Sequence, residues 1–202
     1  GGCRIPRSVR GLSTFFFGVR FFKNVVNDSR TDLRSFKTST ALRAQAARSV
    51  NYVRNSVKAT VDAYDGTVSI YAWDESEPIL KSWSQAFPGI VKPRSAMPAE
   101  VVDHVRYPED LFKIQREILS KYHVKDAGAF YGGQDFWVIP NDPTRPGVQS
   151  SQPPYYLQLQ MPGDTSPVFS LTTTFAPTRR QTLASFMSVS SDPKNNYGKI
   201  RV

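Results

Sequence analysis

Apolar and polar positions alternate most regularly over residues 51–73, NYVRNSVKATVDAYDGTVSIYAW. Val57, Ala59, Val61 and Ala63 share one face of an extended run, and Val68, Ile70 and Ala72 share one face of a second. Tyr71 and Trp73 alternate onto the opposite face of that second run. Between the runs stands Tyr64-Asp65-Gly66-Thr67, and an Asp-Gly pair flanked by alternating sequence predicts a β-hairpin. Gly66 supplies a positive φ without steric cost, and Asp65 tolerates that region better than most residues. A hairpin alone is marginal in water, so a further element must cover its apolar face.

The period then changes. Over residues 77–87, Ile79, Leu80, Trp83 and Phe87 fall on one side of a short helix that Pro78 can start, and Pro88-Gly89 ends it. Residues 90–100 carry Pro93 and Pro98 and read as an irregular linker. A longer helix is predicted over 105–124, where Leu111, Ile114, Gln115, Ile118, Leu119 and Tyr122 keep the helical period. Lys113, Arg116, Glu117 and Lys121 take its polar side, and Glu109 and Asp110 suit its N-terminal dipole. That helix is the expected cover for the hairpin. Strands are predicted over 155–161, 168–175 and 183–189, with a short one at 199–202. Phe130-Tyr131-Gly132-Gly133 marks a turn, and 140–154 a proline-containing loop.

Charge divides the chain. Residues 1–48 hold ten Lys/Arg against two Asp (+8), and residues 49–202 hold sixteen against fifteen acidic residues (+1). The basic character belongs to the first quarter. That segment fits a membrane-surface stretch, a nucleic-acid arm, or a tail parted from a larger domain, and the last is the expectation adopted. Residues 39–50 contain good helix formers. An apolar share of 40% supports a packed core, and no run of eighteen apolar residues crosses a bilayer. The chain starts without Met, as a fragment or processed product would. Cys3 stands alone, which excludes an internal disulfide and multi-thiolate zinc sites.

Candidate chemistry is sparse. No G-x-S-x-G elbow and no phosphate-cradling P-loop occur. His104 has no neighbouring ligand, and His123 is expected to cap the long helix. Asp62, Asp65, Asp74, Glu75 and Glu77 cluster around the hairpin, where they suit a calcium site, a glycosidase-like pair or simple solvation of the loops. Tyr71 and Trp73 are the aromatic residues expected to be exposed, provided the second sheet face is open. The candidate binding surface is therefore Tyr71, Trp73, Asp62, Asp65 and Asp74. No catalytic residue, metal or cofactor is assigned.

Four blocks carry a resemblance: NSVKATVDAYDGTVSIYAWDESEPIL, RYPEDLFKIQREILSKYHV, PPYYLQLQMPG and LASFMSVSSDPKNNYGKIRV. Together they resemble uncharacterised protein family 0182, a group of large bacterial multi-pass membrane proteins. The resemblance runs almost continuously over 51–202, is weak over the first thirty residues and does not extend through 31–49. It implies a domain on the extracytoplasmic side of the cell membrane, carried by transmembrane helices outside this chain, and carries no catalytic residue.

The expectations are these. The fold class is α+β, with an antiparallel hairpin and strands packed on an amphipathic helix, in an incomplete domain. Residues 1–48 form a basic, poorly organised segment, truncated or disturbed, and 49–202 an α+β extracytoplasmic fragment. The function is non-catalytic envelope-exposed binding or scaffolding, with a lipid, glycan or protein partner and no nucleic acid. The alternative is an envelope hydrolase or transferase using carboxylates near the hairpin.

Overall fold

A computed structural model describes residues 12–13, 53–147, 150–180, 182–194 and 196–202. The helix expected over 39–50 lies outside the described residues. Two compact units emerge among the described residues, one of Leu12–Ser13 with residues 53–108 and the other within Glu109–Val202.

In the first unit, β1 (Leu12–Ser13), β2 (Val57–Asp62), β3 (Val68–Ala72) and β4 (Val91–Lys92) form a sheet in that order. β2 and β3 are the predicted hairpin, with Val57 opposite Ala72, Ala59 opposite Ile70 and Val61 opposite Val68. Asp62 N–H donates to Thr67 O at 2.9 Å and Gly66 N–H donates to Asp62 O at 3.0 Å, which closes the loop. Gly66 takes φ +75°, whereas Asp65 does not enter the left-handed region.

β3 and β4 are parallel, with Ile70 beside Val91 and Tyr71 beside Lys92. α1 (Pro78–Ala86) makes the crossover between them. The Glu77 carboxylate accepts the Leu80 N–H at 2.6 Å and Pro78 occupies the first turn, so sequence alone sets where α1 begins. Leu80 packs against Val57 and Ala72, with Ile70 and Val91 alongside. The hairpin's cover is therefore α1, and the expectation that the longer helix performs this role is corrected. Residues 90–100 are also more regular than expected: β4, a 3-10 turn (Arg94–Ala96) and α2 (Ala99–Val102). The prolines delimit these elements instead of preventing them. Pro93 follows β4, where no ladder N–H is needed, and Pro98 directly precedes α2.

The second unit holds α3 (Glu109–Tyr122), α4 (Ala127–Tyr131), β5 (Trp137–Val138), β6 (Tyr155–Leu159), β7 (Val168–Pro177), β8 (Ser185–Ser190) and β9 (Ile200–Arg201). β7 is the central strand: β8 pairs along one edge, and β5 and β6 share the other, all antiparallel. Leu171, Phe175, Met187 and Val189 are fully buried on one face of β7 and β8. α3 packs on β7 and β5, and its inward line is Phe112, Arg116 and Ser120. This corrects the helix face read from periodicity, since Ile118 and Tyr122 are exposed while Arg116 is buried. The reason is polar: Arg116 Nη1 donates to Gln152 O at 2.9 Å and to Thr173 Oγ1 at 3.3 Å. No described helix is long and apolar enough to cross a membrane.

The rotated face of α3 gives a direct test. Phe112→Ala should cost about 3–5 kcal/mol in urea unfolding, as for a fully buried aromatic. Ile118→Ala should cost less than about 1 kcal/mol because half of that side chain is already in water. Equal losses would contradict the face described.

Candidate functional site

β-alternation puts Val57, Ala59, Ile70 and Ala72 toward α1, so Lys58, Thr60, Ser69, Tyr71 and Trp73 turn to the sheet's other face. The two registers then build a row across three strands, because Lys58 stands opposite Tyr71 and Tyr71 stands beside Lys92. Trp73 is two residues beyond Tyr71, and Arg94 two beyond Lys92. The Arg94 guanidinium lies 4.0 Å from the Trp73 ring centroid and the Lys92 ammonium 5.9 Å from that of Tyr71. Lys58 Nζ lies 5.5 Å from the Trp73 centroid and donates to Arg106 O at 3.3 Å. Lys92 Nζ also donates to Ser69 Oγ at 3.1 Å. Three cations thus gather around two rings. Each such contact contributes about 0.5–1 kcal/mol where exposed, and more once desolvated.

The cations differ in solvent access. Lys58 is only 2% exposed, whereas Lys92 and Arg94 are open to water. Burial lowers the Lys58 ammonium to a pKa of about 7, because the interior disfavours its charged form. Among the described residues, neither Lys92 nor Arg94 forms an ion pair with a carboxylate. Glu75 approaches, but its Oε1 accepts the backbone N–H of Arg94 at 3.1 Å, not the guanidinium.

Tyr71 and Trp73 are 6% and 8% exposed, so the expectation that they stand open to solvent is corrected. The charged ends of Lys58 and Arg94 lie over the Trp73 ring and that of Lys92 over the Tyr71 ring. Asp62, Asp65 and Asp74 are accessible but occupied with local turns. Asp62 accepts the Tyr64 N–H at 2.8 Å, and Asp65 accepts that of Thr67 at 2.8 Å. The Thr67 N–H holds the Asp65 carboxyl below its usual range. Asp74 accepts the N–H and hydroxyl of Ser76 at 3.1 and 2.5 Å. Asp65 and Asp74 lie at opposite ends of β3, and no metal-binding cluster of three ligands forms among the described residues.

The imidazoles also have structural partners. His104 Nδ1 lies 2.6 Å from Glu100 O. His123 follows α3, with Nδ1 2.8 Å from Leu119 O and Nε2 3.0 Å from Asp135 O, and its ring stacks on Trp137 at 3.5 Å. The helix-end placement agrees with the cap read from sequence. Sequence reading missed Lys58, Lys92 and Arg94. Lys58 was recoverable, because the hairpin register places it opposite Tyr71; the other two required β4, which Pro93 obscures.

An α+β domain with one cation-lined sheet face is the class defined by fold and site. The chain belongs to the uncharacterised protein family (UPF0182), which it matches over residues 25–202. That match takes in residues 31–49, where the motif blocks alone do not extend. A UPF0182 protein of Thermobifida fusca is 52% identical over 167 residues, 82% of this chain and 16% of that protein. One from Kocuria rhizophila is 47% identical over 193 residues, covering 89% and 19% of the two chains. One from Corynebacterium jeikeium is 56% identical over 155 residues, covering 76% and 15%. The chain thus spans less than a fifth of the length of these relatives. No solved structure matches it.

Lys58 supplies a pH test. Its folded pKa of about 7 lies below the ordinary 10.5, so between these values the unfolded chain holds more protons. The Lys58 contribution therefore destabilises fully below pH 7 and is relieved as pH rises toward 10.5. In urea unfolding from pH 6 to 9.5, wild type should gain stability relative to Lys58→Met, whose own profile lacks this rise. Parallel profiles would refute the buried-amine account.

Proposed function

We propose that this chain is a non-catalytic binding or scaffolding part of a larger membrane-anchored protein, on the extracytoplasmic side of the cell membrane. The cation–aromatic face is the observation that carries the binding part of this reading. Lys92 and Arg94 are held in place by rings and a hydroxyl, and among the described residues they present charge to solvent without an ion-paired carboxylate. This chemistry retains a negatively charged partner. The carboxylates on which a hydrolase or transferase would draw accept backbone N–H groups of their own turns instead.

The placement at the membrane follows from the family resemblance. The relatives are several times longer than this chain, which leaves room for anchoring helices outside it.

Cysteine accessibility tests the placement. Tyr131 is 90% exposed, so Tyr131→Cys in the native protein gives a reporter thiol. A membrane-impermeant maleimide should label it equally in intact and lysed cells, above the background set by Cys3 in the parent. Labelling only after lysis would overturn the extracytoplasmic assignment.

A further inference from the structure

The geometry points to the exposed end of the cation–aromatic face as a binding site for a phosphate group. This deepens the binding reading above and rests on it. Parallel pairing sets Lys92 beside Tyr71, and Arg94, which opens the 3-10 turn after β4, lies over Trp73. The ammonium and the guanidinium therefore converge on one face of the sheet, with Ser69 Oγ 3.1 Å from the ammonium. Ring contacts hold both side chains, so less side-chain freedom is lost when a ligand arrives.

Charge selects the ligand class. Two exposed cations that, among the described residues, have no carboxylate ion-pair partner suit a dianion. A guanidinium fork matches phosphate oxygens through paired hydrogen bonds, while an ammonium acts as a point charge. The Ser69 hydroxyl is a further donor of the kind used around phosphates. Among the described residues, Glu75 is the carboxylate bonded at Arg94, and it accepts that residue's backbone N–H. The same phosphate chemistry has two sources, a lipid headgroup or a soluble phosphate ester.

The test uses the full chain and two double variants. Lys92→Gln with Arg94→Gln removes the proposed site. Lys81→Gln with Lys125→Gln removes the same charge from other exposed positions, and residues 1–48 contribute equally to every protein. Calorimetry with inorganic phosphate and flotation with phosphatidylcholine vesicles, with and without phosphatidic acid, provide the two arms. Wild type and the charge-matched variant should bind alike, and the site variant at least tenfold more weakly with an unchanged urea midpoint. Lys92→Gln alone, which leaves Arg94 on Trp73, should be intermediate.

Loss confined to the phosphatidic-acid vesicles identifies a lipid headgroup, and loss of inorganic phosphate binding identifies a soluble ester. Equal weakening of both double variants, or no phosphate-dependent binding by wild type, overturns the proposal. Those results leave the maleimide experiment unaffected, so ligand class and membrane placement fail separately.

Discussion

Two parallel neighbours in a sheet cannot be joined by a tight turn, so the chain leaving β3 must cross the sheet face before it returns as β4. α1 makes that crossing, and its Leu80 settles on Val57 and Ala72. One local device starts the helix: the Glu77 carboxylate on the Leu80 N–H, followed by Pro78. The apolar side of the sheet is thereby closed. On the opposite side, the same two-rung ladder sets Lys92 beside Tyr71, and Arg94 in the turn that follows lies on Trp73. A hydrophobic contact on one face and a charged arrangement on the other thus depend on a single parallel register.

The second unit meets a different constraint. β7 is paired on both edges and buried along most of its length, so its polar side chains need partners inside. Thr172 donates to Tyr155 O at 2.9 Å, and Thr174 to Gln152 Oε1 at 3.0 Å. Arg116 brings a charge into this interior and binds Gln152 O and Thr173 Oγ1, but its buried Nε has no hydrogen-bond partner. Burial lowers its pKa from the ordinary value, opposed by Glu117 and Glu109. A helix face chosen by hydrophobicity alone would exclude this residue. The structure admits it because two acceptors on neighbouring segments converge where the guanidinium ends.

Most groups of the types that serve catalysis are engaged locally. Asp62, Asp65 and Asp74 close turns, His104 Nδ1 faces a backbone carbonyl, and so do both ring nitrogens of His123. The exposed cations on the first unit's sheet are not used in this way. That contrast directs the functional reading toward retention of an anion, within a family whose sequenced relatives are much longer than this chain.

Local sequence determined the hairpin, because Gly66 alone in that loop takes a positive φ freely and strict alternation fixes which face is apolar. It determined α1 through a cap and a proline, and the strands over 155–159, 168–177 and 185–190 through period-2 patterning. The family blocks were equally legible. Only the tertiary structure decided which helix covers which sheet, because an amphipathic stripe states that it must be buried without naming its partner. It also decided that Tyr71 and Trp73 are covered, that Arg116 faces inward, and that Lys92 and Arg94 join Lys58. Those outcomes depend on residues such as Tyr71 and Lys92, 21 positions apart, and Arg116 and Thr173, 57 apart, meeting in space, and a short window of sequence carries no record of such distances.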